Sequence, residues 1–310
     1  MSESEFRALL HPSEASRYLL ALLVVLPLTA VGVVIVFWTD GFGLLAIPLI
    51  LFGSWFATGL TRARFLGNAV RVSATNFPEI YQAVLDAKKE LSYSGAVDVF
   101  VYAESEINAF LLSLFRRKLV LIPAGAVSQR WVATDNEVKW LIARFIGALK
   151  SKHHRINFLR VLIDSSEKLL FLNLLFYPYE RATQYSGDQI GLAVTRDLSA
   201  ALRMTTKFFD GKDVVDRVNL RGLLTQADEI HGSFFALLAR LFSPFPHLAD
   251  RYLNLLDFAR SRYPAGFDEY LSHYDETTRS EILAILPNIH APSEVPPSSA
   301  APSRMAGAAD

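Results

Sequence analysis

Seven histidines and no cysteine limit the metal and nucleophile chemistry open to this chain of 310 residues. Without cysteine there is no thiolate nucleophile, no disulfide and no thiolate-bound zinc. No two histidines stand four residues apart, the spacing by which one helix face offers two zinc ligands. His11 and Glu14, like His273 and Glu276, have an H-x-x-E spacing without a second histidine nearby, and chance explains both pairs better than a metal site does.

Other motifs for chemistry are absent or lack their context. His153 and His154 are adjacent, so they cannot face one metal from one side of a helix, and we expect them at the surface or at an interface. The G-x-G pattern at Gly41 and Gly43 follows no predicted strand, which denies it the context of a dinucleotide-binding loop. No G-x-S-x-G nucleophile elbow occurs.

Charge and hydropathy narrow the possible partners. Lys+Arg and Asp+Glu both total 31, so the chain lacks the basic footprint of a nucleic-acid-binding protein, and we expect no nucleic-acid partner. Hydrophobic residues make up 51% of the chain. Uncharged runs cover residues 18–38 and 42–60, and each approaches the roughly 20 residues that a spanning helix needs. These runs predict a two-helix transmembrane hairpin.

Basic residues on the outer flanks of both runs predict the orientation of this hairpin. They are Arg7, Arg17, Arg62, Arg64 and Arg71. Because basic flanks stay on the cytoplasmic side, we expect a multi-pass protein of the inner membrane, with both termini cytoplasmic and the lipid bilayer as a partner. A cleaved signal peptide is the competing interpretation, but the first run is too long and a second run follows it.

Beyond the hairpin, hydrophobic periodicity predicts a mostly α domain with a small β-sheet, an α+β fold. Apolar residues at helical spacing predict helices over 76–92, 136–152, 181–209, 220–241 and 247–263. The first of these would be capped by Asn76 together with Glu79. Runs rich in β-branched residues predict strands at 97–102 and 118–122.

These patterns divide the chain into four parts. We expect an N-terminal cytoplasmic segment at 1–16, the hairpin at 17–61, a cytoplasmic domain at 62–287 and a disordered tail at 288–310, where apolar residues are too few to fold. Two apolar pieces within 156–178 are each too short to span a bilayer. They predict either a hairpin that dips into the membrane interface or a helical pair packed on the domain.

Three segments carry a resemblance to a known family. They are Asn108-Ala109-Phe110 ahead of the second strand, Asn136-Glu137-Val138-Lys139 opening a long helix, and Tyr185-Ser186-Gly187-Asp188-Gln189-Ile190-Gly191-Leu192 on a later helix. With the order of the elements, they resemble the HtpX-like membrane metallopeptidases, a gluzincin-type family that includes the CAAX prenyl proteases. The resemblance implies a zincin-like domain. In that family H-E-x-G-H on the long helix and the glutamate of E-Y-x-x-D on the later one hold a zinc ion.

The residues that would perform this chemistry are replaced. The resemblance puts Arg144 at the first zinc-binding histidine, Phe145 at the catalytic glutamate and Ala148 at the second histidine, with Ile146-Gly147 between them. Gln184 stands at the third ligand. An arginine repels a divalent cation, alanine has no donor, and phenylalanine accepts no proton, so we predict no cofactor, no bound metal and no catalytic residue.

The surroundings of the site are retained. Tyr185 and Asp188 keep the later motif, and the downstream H-P-x-x-x-x-R tract is present with Phe245 before Pro246 and with Arg251 kept. In the family, the aspartate supports the first zinc-binding histidine.

Retention of Asp188 beside Arg144 therefore predicts an ion pair between them, with Gln184 satisfying a further donor. The alternative is that Arg144 extends to solvent and Asp188 caps a backbone group.

These observations favour a membrane-anchored pseudopeptidase that binds a polypeptide or membrane-protein partner without cutting it. The strand edge at 108–122, which begins with Asn108, Ala109 and Phe110, would hold the partner by main-chain hydrogen bonds. Two alternatives stay open: an active membrane zinc metallopeptidase with a non-standard site, and a structural membrane subunit with a filled groove. A homo-oligomer is compatible with each.

Overall fold

A computed structural model describes residues 1–39, 44, 46–103, 110–114, 117–127, 134–153, 173–210 and 215–286. Within these ranges the chain is mostly helical with one small sheet, as the sequence patterns predict. The helices are α1 (Glu3–Arg7), α2 (Glu14–Trp38), α3 (Ala46–Asn68), α4 (Pro78–Glu90), α5 (Ala124–Val127), α6 (Asp135–Lys150), α7 (Asn173–Thr195), α8 (Leu198–Asp210), α9 (Leu220–Gly232), α10 (Phe234–Leu241), α11 (Leu248–Arg262), α12 (Pro264–Leu271) and α13 (Glu276–Ile285), with a 3₁₀ turn at Val215–Arg217.

The sheet contains two central parallel strands between two antiparallel edge strands. Its strands are β1 (Ala69–Arg71), β2 (Asp98–Tyr102), β3 (Phe110–Leu114) and β4 (Arg117–Pro123), in the order β1-β2-β4-β3. The predicted strands at 97–102 and 118–122 are confirmed as β2 and β4. In the centre, Val99 pairs with Val120, and Val120 pairs with Leu111 on β3.

Side chains alternate between the two faces of the central strands, as the pleat of a sheet requires. Val99, Val101, Val120 and Ile122 join the main core together with residues of α4 and α6. Phe100, Tyr102, Leu119 and Leu121 form a smaller buried cluster on the other face. The N-terminal segment also contributes to the main core through Phe6 and Leu9.

The uncharged runs that predict a membrane hairpin form parts of α2 and α3. Over the residues that the structure describes, no helix combines the length and the apolar character needed to cross a bilayer. Both helices extend beyond the uncharged runs, since α2 begins at Glu14 and α3 continues through Arg62 and Arg64. The prediction of a transmembrane hairpin, and with it the multi-pass inner-membrane location with cytoplasmic termini, is therefore wrong.

Several helix boundaries differ from the periodic pattern for local reasons. Helix α4 begins after Phe77, which has a left-handed backbone, and not with a cap from Asn76. The predicted helix 181–209 is split at Arg196, where φ is 55°. The predicted helix 220–241 is split at Ser233, whose side chain caps α10. Most of 156–178 and the whole of 288–310 lie outside the described residues.

Helices α6 and α7 approach closely because glycines line their contact. A Cβ atom on Gly147 would lie 2.6 Å from Cγ2 of Ile190, and one on Gly191 would lie 2.6 Å from Nε1 of Trp140. Trp140 and Ile190 are completely buried, so neither has room to move aside. The two glycines therefore set the distance at which α6 and α7 pack.

Replacing Gly191 by alanine tests this contact. Overpacking of a filled core costs about 1–3 kcal/mol, and at Gly191 we expect the loss to exceed the roughly 1 kcal/mol that alanine gains in helix propensity. Gly222→Ala is the matched control, because a Cβ on this glycine of α9 meets nothing within 4 Å. Urea unfolding should show Gly191→Ala less stable and Gly222→Ala more stable than the parent. Equal shifts in one direction would contradict the close packing.

Candidate functional site

A buried carboxylate on α7 lies at the centre of the candidate site. Asp188 has no solvent-exposed surface. Both of its oxygens accept hydrogen bonds from Arg251 of α11, with Nε 2.7 Å from Oδ2 and Nη2 2.7 Å from Oδ1. This two-pronged geometry is the strongest pairing that arginine makes with a carboxylate. It explains how the charge of Asp188 can be held away from water.

Arg144 of α6 approaches the same carboxylate from a second side. Its Nε lies 2.9 Å from Oδ1 of Asp188, an ion pair without hydrogen-bond alignment, and its Nη2 donates to Oε1 of Gln184. The predicted pairing of Arg144 with Asp188, with Gln184 accepting from a further donor, is confirmed. Trp140 provides additional contact, since the guanidinium carbon lies 5.8 Å from its ring centroid.

Two neighbouring residues on α7 explain why the arginine fits here. A Cβ atom on Gly187 would lie 3.0 Å from Cγ of Arg144, so the glycine lets the arginine side chain lie against the helix. Gln184 and Asp188 are four residues apart and therefore face the same side of α7. Arg144 spans both of them, which makes the contact between α6 and α7 polar at this point.

Burial changes the proton affinity of two groups at the site. Burial lowers the pKa of Arg144 to about 10, and Asp188 acts in the opposite direction. Arg144 therefore remains charged at neutral pH. Burial also raises the pKa of Tyr185, which stays a neutral phenol and stacks on His11 with ring centroids 5.1 Å apart.

The residues that the motif resemblance assigns to a zinc site do not fit a zinc ion. Arg144 is positively charged, offers no lone pair and is already paired with Asp188. Phe145 is 7% exposed and belongs to the main core, and Ala148 has no donor atom. In the part of the chain that the structure describes, no group of three or more His, Asp or Glu residues could hold a metal ion.

A second polar cluster joins the N-terminal segment to α7. Glu14 pairs through Oε1 with Nε2 of His153 at 2.9 Å and accepts a hydrogen bond at Oε2 from Ser186. The backbone N–H of His11 donates to Ser186 Oγ at 2.9 Å. His153 is 8% exposed, so of the two predicted positions, surface or interface, the surface position is wrong. His154 lies outside the described residues.

Helix α6 carries a further buried charge near its first residue. Glu137 has no exposed surface and contacts two cations of α8, with Lys207 Nζ at 2.5 Å and Arg203 Nε at 3.1 Å. Nothing in the local sequence indicates this network, because the partners lie 66 and 70 residues away. It ties the beginning of α6 to α8 as Asp188 ties α7 to α11.

The predicted polypeptide-binding edge is described only in part. Asn108 and Ala109 lie outside the described residues, while Phe110 is the first residue of β3. Strand β3 lies at one end of the sheet, next to β4. Two clefts, of about 380 and 670 Å³, lie elsewhere and include neither Arg144 nor Gln184 in their linings.

Comparisons with protein-family models, with curated proteins and with solved structures find no match to this chain. The resemblance to HtpX-like metallopeptidases therefore stays a hypothesis that depends on the motifs themselves.

Replacing Asp188 by asparagine tests the central ion pair. The change leaves the buried guanidinium of Arg251 and the partly buried one of Arg144 without this carboxylate, and breaking such a buried pair costs on the order of 3–5 kcal/mol. Asp98→Asn is the control, because Asp98 pairs with the largely exposed Arg71 at the sheet edge. An exposed pair contributes about 0–1 kcal/mol. Chemical denaturation should separate the two variants clearly, and an Asp188→Asn protein as stable as the parent would contradict the described network.

Proposed function

We propose that this protein is a pseudopeptidase, which binds an extended polypeptide on a scaffold resembling the HtpX-like metallopeptidases and does not hydrolyse it. One observation carries the proposal. Arg144, at the position of the first zinc-binding histidine, forms an ion pair with Asp188 and contacts Gln184 at the position of the third ligand. In this proposal, an internal ion pair replaces the zinc ion of the family.

The chemistry of this pair argues against hydrolysis. A guanidinium donates hydrogen bonds only and stays protonated, so Arg144 can neither ligate a cation nor accept a proton from water. Phe145, at the position of the general base, is buried in the main core. Without a metal-bound water or a general base, the scaffold can still bind a polypeptide but cannot hydrolyse it by the family's mechanism.

Strand β3 supports a binding role. It pairs with β4 on one side and is the last strand of the sheet within the described residues. An edge strand presents a row of backbone N–H and C=O groups to which an extended chain can add. Leu111 of this strand packs against the main core, so the edge is anchored to the same body as α6.

Hydrogen exchange with an unfolded polypeptide tests this binding mode. Unfolded casein should bind, and the amides of β3 (Phe110–Leu114) should gain protection because they acquire new acceptors. The opposite edge strand, β1 (Ala69–Arg71), is the matched control and should exchange as it does without casein. Protection of both edges, or of neither, would contradict selective addition to β3.

Incubation of the same mixture tests the absence of hydrolysis. Casein should remain intact by mass spectrometry with or without added zinc, because no residue at the site activates water. Cleavage that a chelator abolishes would defeat the pseudopeptidase proposal and favour an active metallopeptidase.

Restoring the family residues provides the complementary test. Arg144→His, Phe145→Glu, Ala148→His and Gln184→Glu together would return two histidines one helical turn apart and an acid on α7. The present contact between residues 144 and 184 already brings two of these positions together. We expect the combined variant to bind one zinc ion by metal analysis after dialysis, with activity recovered less readily. Failure of the folded variant to bind zinc would contradict the correspondence of these positions.

A further inference from the structure

Arg144 shares its carboxylate partner with another cation. Asp188 Oδ1 accepts a hydrogen bond from Nη2 of Arg251 at 2.7 Å and lies 2.9 Å from Nε of Arg144. Among the described residues Arg144 has no other acidic partner. Because the two oxygens of Asp188 are already directed at Arg251, they compensate the charge of Arg144 only in part.

Arg144 and Gln184 each have a solvent-accessible donor group without an acceptor among the described residues. Arg144 uses Nη2 for Gln184 and Nε for the unaligned ion pair, and its Nη1 donates to no group in the described parts of the chain. A guanidinium can only donate, so Gln184 must turn its carbonyl Oε1 toward Arg144 and its Nε2 away. This Nε2 likewise donates to no described group.

These donors are not sealed from solvent. The Arg144 side chain is 12% exposed, whereas Asp188 is 0% and Arg251 is 5% exposed. Arg144 is therefore the one of these three groups that an incoming anion could reach most directly. Charged hydrogen bonds gain strength where water is largely displaced, which favours an anion over a neutral ligand at this position.

We infer that Arg144 and Gln184 form a receptor for a carboxylate of the bound polypeptide, with Arg144 Nη1 and Gln184 Nε2 as its donors. This inference rests on the proposed function and adds a ligand class to it. The carboxylate comes either from the polypeptide C-terminus or from an Asp or Glu side chain. Asp188 and Arg251 position Arg144 without contacting the ligand.

Three peptides of one uncharged, extended sequence separate these sources. The first is N-acetylated with a free C-terminus, the second is the same peptide with a C-terminal amide, and the third is the amide with one internal aspartate. Calorimetry should show a dissociation constant for the second peptide that is at least ten times higher than that for the first. Tight binding of the third would identify a side-chain carboxylate as a sufficient ligand. Equal affinity of all three would overturn the inference.

Two variants of the receptor test its residues. Arg144→Gln removes the cation while Asp188 keeps its two hydrogen bonds from Arg251, and it should bind the free and amidated peptides equally. Gln184→Glu supplies Arg144 with an internal carboxylate and should abolish the preference in the same way. Arg71→Gln is the control, because it removes an arginine from the exposed pair with Asp98. Full discrimination in both receptor variants would overturn the inference.

Failure of this inference and failure of the proposed function give different results. If all peptides bind equally and β3 is still protected, polypeptide binding stands and the carboxylate receptor is refuted. If no peptide binds, the proposed function fails, and acetate titration decides the receptor alone. A saturable shift of the Arg144 Nε–H resonance with acetate and none with acetamide would support the receptor, whereas no shift with either would refute it.

Discussion

The buried carboxylate of Asp188 is the constraint on which the middle of this fold depends. A charge without exposed surface is tolerated only when cations and hydrogen bonds replace its lost hydration. Arg251 supplies two aligned hydrogen bonds from α11, and Arg144 supplies a second positive charge from α6. Helix α6, which precedes α7 in the chain, and helix α11, which follows it, are therefore fixed to one group on α7.

The close packing of α6 on α7 makes this arrangement possible. Gly147 and Gly191 bring the helix axes together against Ile190 and Trp140, and Gly187 leaves the space that Arg144 occupies. The Glu137 network holds the beginning of α6 against α8 in a similar manner. Apolar contact sets the separation of the helices, and the buried charges determine which faces meet.

Local patterns were sufficient for some elements and insufficient for others. Strands β2 and β4 could be predicted because their β-branched residues are consecutive, whereas β1 has three residues and owes its existence to pairing with β2. The pair of Arg144 and Asp188 could be predicted from the motif resemblance. The role of Arg251 could not, because its hydrogen bonds reach 63 residues along the chain. An uncharged run shows only that a segment is apolar. The runs 18–38 and 42–60 therefore predicted a transmembrane hairpin, which the structure does not support.

The members of the ion network differ in how many oppositely charged partners they have. Asp188 has two cationic neighbours, so its charge stays compensated through Arg251 when position 144 changes. Position 188 carries the one carboxylate that both arginines are seen to contact. Substitutions should therefore be tolerated better at position 144 than at position 188 or 251. An arginine that persists at 144 despite this tolerance would reveal selection for the charge itself, separate from the demands of folding.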